Sequence, residues 1–487
     1  MISLRNAVVP AALAAVLCPL MATSPAKAAV VISSGATSNI TCTSGVCTPS
    51  AEGSVLNVTQ LETMLASGNV TVNTKPNEPH GNINVHHAIT WASSSTLTLN
   101  AATTRDSEAN ITIDDPIGVS GSGGLALVMD TRVDLFFGPR GNITFLSLTS
   151  PFTVNGQAYT LVDNIATLAS GIAANPSGFF ALAGSYDATP DGIYSSSPIP
   201  TTYTGTFLGL GNTISHLTAQ LNTPQTFGMF EHLGLGGFIL NLKLDKVSLA
   251  GSGVGTNAGA LVGTNNGQIY RDTANVRITD VVIAGGLAAV NNLDIANCYT
   301  SGKIDTARTG EARAGGLVGS NGVTGSELGS VGESYSTVSV IVGRNSYGGG
   351  LVGYQPGGTL YSSYATGSIT GGKGSYVGGL LGYTTQSNED QEITQSYSTG
   401  AVTVGAGGAA GGLVGYGGVV MSSTYWDTTT SGISDLSQGA GTPANEPGIT
   451  GLSTTQLQSG LPSGFNDSFW AESPTINGGL PYLLPPQ

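Results

Sequence analysis

The sequence predicts an all-β protein built as a parallel β-solenoid, and three observations lead to this prediction. Glycine contributes 72 of 487 residues, and charged residues make up only 9%, against about 25% in ordinary globular proteins. Long helices are disfavoured, because each interior glycine costs about 1 kcal/mol and surface helices need charged faces. The third observation is an internal repeat of about 30 residues, which is typical of solenoids.

The repeat is marked by a glycine-rich string. Gly-Gly-Leu-Val-Gly occurs at 315–319, 349–353 and 411–415, and Gly-Gly-Leu-Leu-Gly occurs at 378–382. A tyrosine follows each of these four copies at a similar spacing, and another tyrosine follows an earlier, degenerate copy of the string. In chain order these are Tyr299, after the degenerate copy, and Tyr335, Tyr364, Tyr397 and Tyr425. A unit this short cannot cover its own apolar face and must stack on its neighbours. We expect parallel coils with glycine at the corners, about nine of them over residues 155–430.

The chain begins with the segment order of a secretory signal peptide. Residues 1–28 carry Arg5, then an apolar stretch, then small residues up to Ala28. A membrane anchor is the alternative, but Pro10 and Pro19 interrupt the stretch, which is short for a span of about 20 residues. We expect cleavage after residue 28 or 29 and a secreted or outer cell-surface protein.

The charge balance restricts the partners. Removal of Arg5 and Lys27 with the signal lowers Lys+Arg from 15 to 13 against 29 Asp+Glu, a net charge near −16. Nucleic acids and anionic membranes attract basic surfaces. We therefore expect neither nucleic acids nor anionic membranes as partners. No later segment approaches a transmembrane helix in length, so we expect no membrane insertion of the mature chain.

Three regions follow the signal. Residues 29–150 hold short alternating strands without the glycine signature, and we expect them to form a strand-rich region that caps the solenoid. Residues 151–430 form the repeat solenoid. Residues 431–487 are rich in Gly, Pro, Ser and Thr, which predicts an irregular segment over the last coil. Two short capping helices are expected, one with a capping box at residues 59–62 that ends near Gly68, and one over 163–170.

The cysteines predict one small loop. Cys42 and Cys47 are spaced for a disulfide, which is plausible outside the cell. Such a loop would hold a terminus in place, because the stabilisation from closing so short a loop is only about 2 kcal/mol. Cys298 remains as an unpaired thiol.

The tyrosine column allows two interpretations. An exposed column could stack on sugar rings. In an unbroken strand, however, Ile393 and Tyr397 share a face, so a buried Ile393 would place Tyr397 in the core. We favour core packing, although a bend between the two residues would reverse it. The same parity places Cys298 on the opposite face with the aligned serines, which are Ser334, Ser363 and Ser396.

An ordered set of motifs resembles a known group of proteins. These are residues 203–217, Phe227-Gly-Met-Phe230, the glycine-rich repeats and Tyr425-Trp426-Asp427. Together they resemble bacterial GLUG-motif proteins, which are similar to filamentous-haemagglutinin-type secreted adhesins, and the likeness covers most of residues 55–485. The resemblance implies a right-handed parallel β-helix that acts in adhesion or binding to a surface or glycan.

A carbohydrate-active enzyme is the main alternative, because parallel β-helices also host polysaccharide lyases and hydrolases. Glycosidic cleavage needs at least two carboxylates on one face. One or two coils could align Asp272, Asp294 and Asp305, but the charged stretch 243–313 is better interpreted as solvated loops. A purely structural envelope or matrix component is the third possibility.

Metal binding has little support in the sequence. His80, His86 and His87 lie close together without a carboxylate or thiol at ligand spacing, so we interpret them as surface histidines. Asp187 and Asp191 could bind calcium weakly, but a plain turn is the better interpretation. We expect no catalytic, cofactor-binding or metal-binding residues, no cofactor, and a partner that is a surface receptor or glycan.

Overall fold

A computed structural model describes residues 29–74, 81–101, 109–322, 329–385 and 391–484. The described chain is nearly all β and forms a parallel β-solenoid, which confirms the predicted fold class. It contains two stacks of coils, residues 30–161 and 162–426, each around its own apolar core, and the core of the first stack also takes in several side chains from residues 181–240 of the second. The predicted signal peptide and His80 lie outside the described residues.

Three coils of the first stack pass through three sheets in turn, and in an earlier coil the helix Val58–Leu65 takes the place of the middle strand. Sheet A contains, in pairing order, Leu135–Phe137, Ile111–Ile113, Asn82–Val85, Ala29–Ser33 and Ser54–Asn57. Sheet B contains Ile143–Phe145, Ile117–Val119 and Ile89–Trp91. Sheet C contains Gln157–Ala158, Phe152–Val154, Gly124–Val128, Thr96–Asn100, Val70–Asn73, Val46–Pro49 and Ile40–Thr43. The predicted alternation is confirmed, for example in Thr96–Asn100, where only the leucines are buried.

The second stack also has three sheets, of which sheet D is the largest. Its strands are Thr160–Val162, Phe179–Leu182, Tyr186–Asp187, Ile193–Tyr194, Thr206–Leu208, Thr213–Ser215, Thr218–Leu221, Phe238–Leu240, Lys243–Gly251, Gln268–Tyr270, Thr273–Thr279, Asp294–Ala296, Tyr299–Thr306, Ser330–Gly332, Tyr335–Ser336, Ser339–Val342, Thr359–Tyr361, Tyr364–Ala365, Ile369–Gly371, Glu392–Ser398, Val402–Val404, Val420–Asp427 and Ile449–Leu452. Nine successive coils, from Phe179–Leu182 to Val420–Asp427, place a strand at the same position, as predicted.

The other two sheets meet at the glycine-rich strings. Sheet E contains Gln225–Phe227, Thr256–Gly259, Ile283–Gly285, Arg313–Gly315, Tyr347–Gly349, Tyr376–Gly378 and Ala409–Gly411. Sheet F contains Phe230–Leu233, Val262–Asn265, Ala288–Asn291, Val318–Asn321, Val352–Gln355, Leu381–Thr384, Val414–Tyr416 and Ala440–Thr442. A Cβ atom at Gly349 would lie 1.9 Å from the Val352 carbonyl oxygen. The close turn between the two sheets therefore requires glycine.

The helices are short and lie near the predicted positions. The first spans Val58–Leu65, and its N-cap is Asn57, whose side chain accepts a hydrogen bond from the Gln60 amide. The capping box predicted at residues 59–62 is therefore wrong, because the helix begins before it. The second spans Ile165–Ala174, and a single turn spans Thr454–Leu457. Short 3₁₀ segments are Arg132–Asp134, Thr189–Asp191, Leu436–Gln438 and Asn477–Gly479.

The first stack packs on the outer face of sheet D. Leu208 and Leu240 belong to the core of the first stack, whereas their neighbours Phe207 and Ile239 belong to the core of the second. Thr206–Leu208 is buried throughout, because both of its faces are covered. This lateral contact brings Leu135–Phe137 and the residues that follow it, Gly138 and Pro139, beside sheet D and so creates a cleft.

The C-terminal segment, residues 431–484, packs on the last coil and contains regular strands. Two of its strands, Ala440–Thr442 and Ile449–Leu452, extend sheets F and D. Trp470–Ala471 and Tyr482–Leu483 form an antiparallel pair.

Candidate functional site

Sheet D turns at the same corner in successive coils, and a residue with a left-handed backbone marks the corner. Six aligned residues have φ between 43° and 57°: Arg271, Asn297, Glu333, Ser362, Gln395 and Ser423. Such a residue interrupts the alternation of a strand. The residue that follows it points into the core, and the next one points outward.

This corner reverses the predicted orientation of the tyrosines. Ile393 lies in the solenoid core, Gln395 has the left-handed backbone, and Tyr397 joins a separate apolar cluster outside the coils. The predicted face is therefore wrong, because the bend turns the tyrosines out of the solenoid core. The predicted burial holds for Tyr364, Tyr397 and Tyr425, which pack in that outer cluster. Cys298 and the aligned serines are buried on the inner side, which confirms their placement opposite the tyrosines.

The five tyrosines form an aligned column, here called the tyrosine ladder (Tyr299, Tyr335, Tyr364, Tyr397 and Tyr425), and the first four of its rings stack on one another. Parallel pairing aligns them coil by coil. The ring centroids are 5.0 Å apart for Tyr299 and Tyr335, 4.7 Å for Tyr335 and Tyr364, and 5.1 Å for Tyr364 and Tyr397. The planes of these pairs lie within 9° of parallel.

The C-terminal segment covers one end of the ladder. Tyr364, Tyr397 and Tyr425 are at most 7% exposed and pack with Phe465 and Trp470. The other end is open, since Tyr299 is 37% exposed. Burial accordingly raises the pKa of the Tyr397 hydroxyl well above its ordinary value.

A cleft of about 700 Å³ lies at the open end, between the two stacks. We call it the junction cleft. Its lining includes Asp114, Phe137, Asn241, Lys243, Arg271, Thr273 and Tyr299. Two contacts hold its walls together. The Arg271 guanidinium lies 4.0 Å from the centroid of the Phe136 ring, and the Asn241 Nδ2 donates to the Leu135 carbonyl oxygen at 3.0 Å.

A second aromatic surface lies where sheets E and F meet. We call it the outer tyrosine patch: Tyr347, Tyr354, Tyr376, Tyr383 and Tyr416. The closest ring centroids are 4.4 Å apart, for Tyr347 and Tyr383, and 4.6 Å apart, for Tyr383 and Tyr416. The Arg313 guanidinium lies 4.1 Å from the centroid of the Tyr354 ring and extends the surface.

The five rings of the patch are half-exposed, and their hydroxyls make no hydrogen bonds to other residues within the described part of the chain. Sequence reasoning missed this surface, although the signal was present. Tyr347 and Tyr376 stand two residues before a glycine-rich string, and Tyr354, Tyr383 and Tyr416 directly follow one. The tight turn at the string places both positions on one side.

The three acidic residues considered for catalysis do not share a groove. Asp272 is 1% exposed, and its Oδ1 accepts a hydrogen bond from the Leu242 amide at 2.6 Å. Asp294 accepts one from the Tyr270 hydroxyl, and the Asp305 carboxylate pairs with Lys303 at 3.0 Å. The expectation of solvated loops is wrong for Asp272, because its side chain points into the coil. Burial raises the pKa of this carboxyl well above its ordinary value.

The remaining candidates are placed as follows. His86 and His87 are exposed, and His86 pairs with Asp114 at 3.1 Å. Asp187 pairs with His216 at 3.0 Å, and Asp191 accepts a hydrogen bond from Tyr194 at 2.7 Å. Over the described ranges, no three His, Cys, Asp or Glu side chains are grouped closely enough to hold a metal ion.

The cysteine predictions agree with the structure. Cys42 and Cys47 form a disulfide, and Cys298 is a buried free thiol. In the portions of the chain that the structure covers, no helix has both the length and the apolar character needed to cross a bilayer.

Comparison with known proteins gives partial matches. No family model matches the chain. A stretch of 105 residues is 30% identical to halomucin of Haloquadratum walsbyi, which amounts to 22% of this chain and 1% of the length of halomucin. A crystal structure of a Bacteroides ovatus protein, proposed to be an immunoglobulin A1 protease, aligns with a TM-score of 0.43 and 20% identity. That alignment covers 67% of this chain and 92% of the other.

Proposed function

We propose that this protein is a secreted or cell-surface β-solenoid that binds glycan through the outer tyrosine patch and performs no catalysis. The observation that carries the proposal is the cluster of five contacting, half-exposed tyrosine rings beside Arg313. This is also the role that the GLUG-type resemblance implies.

The chemistry of the patch suits a sugar surface. A tyrosine ring has an apolar face and a polar tip, so it serves as a contact residue where one side is apolar and the other is wet. A pyranose ring has the matching form, with C–H faces and hydroxyl edges. The tyrosine hydroxyls have no hydrogen-bond partner among the described residues, which leaves them free for such edges.

The patch is also preorganised. The Tyr383 ring contacts four neighbours, namely the rings of Tyr347, Tyr354, Tyr376 and Tyr416. Rings that are already packed lose little side-chain freedom on binding, and this improves affinity. The tight glycine turns beneath them hold the backbone in place.

The test is a glycan array with the mature chain, followed by titration of the best ligand. The double variant Tyr354→Ala/Tyr383→Ala should weaken binding at least tenfold, the equivalent of about 1.4 kcal/mol. The matched control is Phe469→Ala, which removes an exposed aromatic ring elsewhere and should leave the affinity unchanged.

Two results would overturn the proposal. One is an array on which no glycan binds, or on which the double variant binds as well as the control. The other is the release of reducing ends from acidic polysaccharides at an enzymatic rate, which would identify a carbohydrate-active enzyme.

A further inference from the structure

The open end of the tyrosine ladder ends in the junction cleft. One face of the Tyr299 ring is covered by Tyr335, with centroids 5.0 Å apart and planes 7° from parallel. One coil toward the N-terminus, the residue aligned with Tyr299 is Thr273, and two coils toward the N-terminus it is Lys243. The ladder therefore stops where a small side chain replaces a ring, and the free face of Tyr299 points toward that space.

The coil beyond Thr273 places a lysine, Lys243, at the aligned position. Lys243 lines the cleft and is half-buried, and within the described ranges its ammonium group has no carboxylate within ion-pair distance. Burial without a counter-charge lowers the pKa of Lys243 from its ordinary value. An anion placed beside this amine would relieve that cost.

The other charged groups of the cleft leave Lys243 available. The Asp114 carboxylate is engaged by His86 at 3.1 Å, and the Arg271 guanidinium is held over Phe136 and on the Val133 carbonyl oxygen. Thr112, Asn241 and Thr273 add hydroxyl and amide groups to the walls. The lining thus combines an aromatic face, a cation and several neutral hydrogen-bonding groups.

We propose that the junction cleft binds a uronic acid residue, whose pyranose ring stacks on Tyr299 above Thr273 and whose carboxylate meets Lys243. Neighbouring coils are about 4.8 Å apart. A ring one step from Tyr299 therefore occupies the next position of the ladder, at the level of Thr273, and the flexible four-carbon stem of Lys243 spans the further step to its carboxylate. The hydroxyl groups of the sugar suit the polar walls better than a flat aromatic acid would.

This site is separate from the outer tyrosine patch and does not depend on it. The probes are glucuronate and galacturonate, each compared with glucose and galactose by isothermal titration calorimetry on the mature chain. Both uronates should bind at least tenfold more tightly than the neutral sugars. The double variant Tyr354→Ala/Tyr383→Ala should bind the uronates as the unmodified chain does, so that failure of one site is not mistaken for failure of the other.

Substitutions in the cleft separate its two contributions. Lys243→Gln should abolish the preference for uronates over neutral sugars, whereas Lys246→Gln, three residues away and exposed, should preserve it. Tyr299→Ala should weaken uronate binding at least tenfold, and Tyr299→Phe should retain it. Equal affinity for acidic and neutral sugars, absence of uronate binding, or equal effects of the two lysine substitutions would overturn the proposal.

Discussion

The Tyr397 hydroxyl donates a hydrogen bond to the Pro481 carbonyl oxygen at 2.6 Å. The same hydroxyl accepts one from Asn477 Nδ2 at 2.9 Å. Tyr397 belongs to the ladder of sheet D, whereas the other two residues belong to the C-terminal segment. One buried hydroxyl therefore joins the solenoid to its cover.

Removal of this hydroxyl should loosen the cover. We expect Tyr397→Phe to lower the free energy of unfolding by about 1–2 kcal/mol, because a buried hydrogen-bonded group is lost while the ring packing is kept. Urea denaturation followed by tryptophan fluorescence measures the change, since Trp470 packs against this ring. The control is Tyr383→Phe, whose hydroxyl has no partner within the described residues and whose effect should stay within about 0.5 kcal/mol. Equal stability of the two variants would contradict this reading of the contact.

The glycine-rich string should not tolerate a methyl group. In Gly349→Ala the new Cβ would lie 1.9 Å from the Val352 carbonyl oxygen, so the backbone must shift. We expect a loss of about 3 kcal/mol or more. Gly184→Ala is the matched control, because its Cβ would meet nothing within 4 Å, and it should change stability by less than about 0.5 kcal/mol. Urea denaturation of each variant measures the loss of stability. A small loss for Gly349→Ala, similar to that for Gly184→Ala, would be inconsistent with the tight turn.

The coil architecture could be predicted because it depends on features that are written in the sequence. Stacking requires a repeat of fixed length, and the glycines at 315–319 and its copies display that repeat directly. The Cys42–Cys47 loop and the positions of both longer helices are local features for the same reason.

The orientation of the tyrosines could not be predicted in this way. It depends on the φ angle of Gln395, which is 46°, and this conformation is uncommon for a residue other than glycine, asparagine or aspartate. The tertiary packing of the corner imposes this left-handed φ angle, so no local sequence pattern predicts it. The lateral contact of the two stacks was missed because it depends on strands such as Thr206–Leu208, whose continuous burial does not reveal which partner covers the second face.

On the inner side of the corner, aligned side chains form hydrogen bonds from one coil to the next. We expect serine to be able to make these hydrogen bonds at each aligned position. The Ser363 Oγ accepts a hydrogen bond from the Ser334 amide at 3.1 Å and donates to the Tyr361 carbonyl oxygen at 2.8 Å. Cys298 makes the corresponding contacts through Sγ, to the Asp272 amide at 3.4 Å and the Ala296 carbonyl oxygen at 3.3 Å.

We therefore expect Cys298→Ser to change the free energy of unfolding by less than about 1 kcal/mol. Ser334, one coil later, and Ser363, two coils later, already form the same pair of hydrogen bonds at the aligned position. Ser363→Ala should lower it by about 1–3 kcal/mol, since the buried Ser334 amide loses its acceptor. Thermal and urea unfolding of both variants provide the comparison. A larger loss for Cys298→Ser than for Ser363→Ala would show that the two positions are not equivalent.

Asp272 occupies the same inner position one coil earlier, and it should make the stability of the protein depend on pH. Its pKa in the folded state is raised well above 3.8 by burial, so the folded protein retains a proton that the unfolded chain releases. The contribution of Asp272 to stability is therefore fully present below about pH 4 and is lost as the pH rises toward the folded-state pKa, with a slope of at most about 1.4 kcal/mol per pH unit.

Asp272→Asn removes this titration and nearly preserves the shape of the side chain, including an oxygen that can accept from the Leu242 amide. The stability of Asp272→Asn relative to the unmodified protein should therefore rise as the pH increases from about 4 toward the folded-state pKa of Asp272. Urea denaturation at intervals of one pH unit measures the difference, and the other buried acids, such as Glu333, cancel because both proteins contain them. Parallel stability curves would mean that Asp272 is already ionised in the folded protein at every pH measured. We do not expect this, because one oxygen of the buried carboxylate has no hydrogen-bond partner to stabilise its charge.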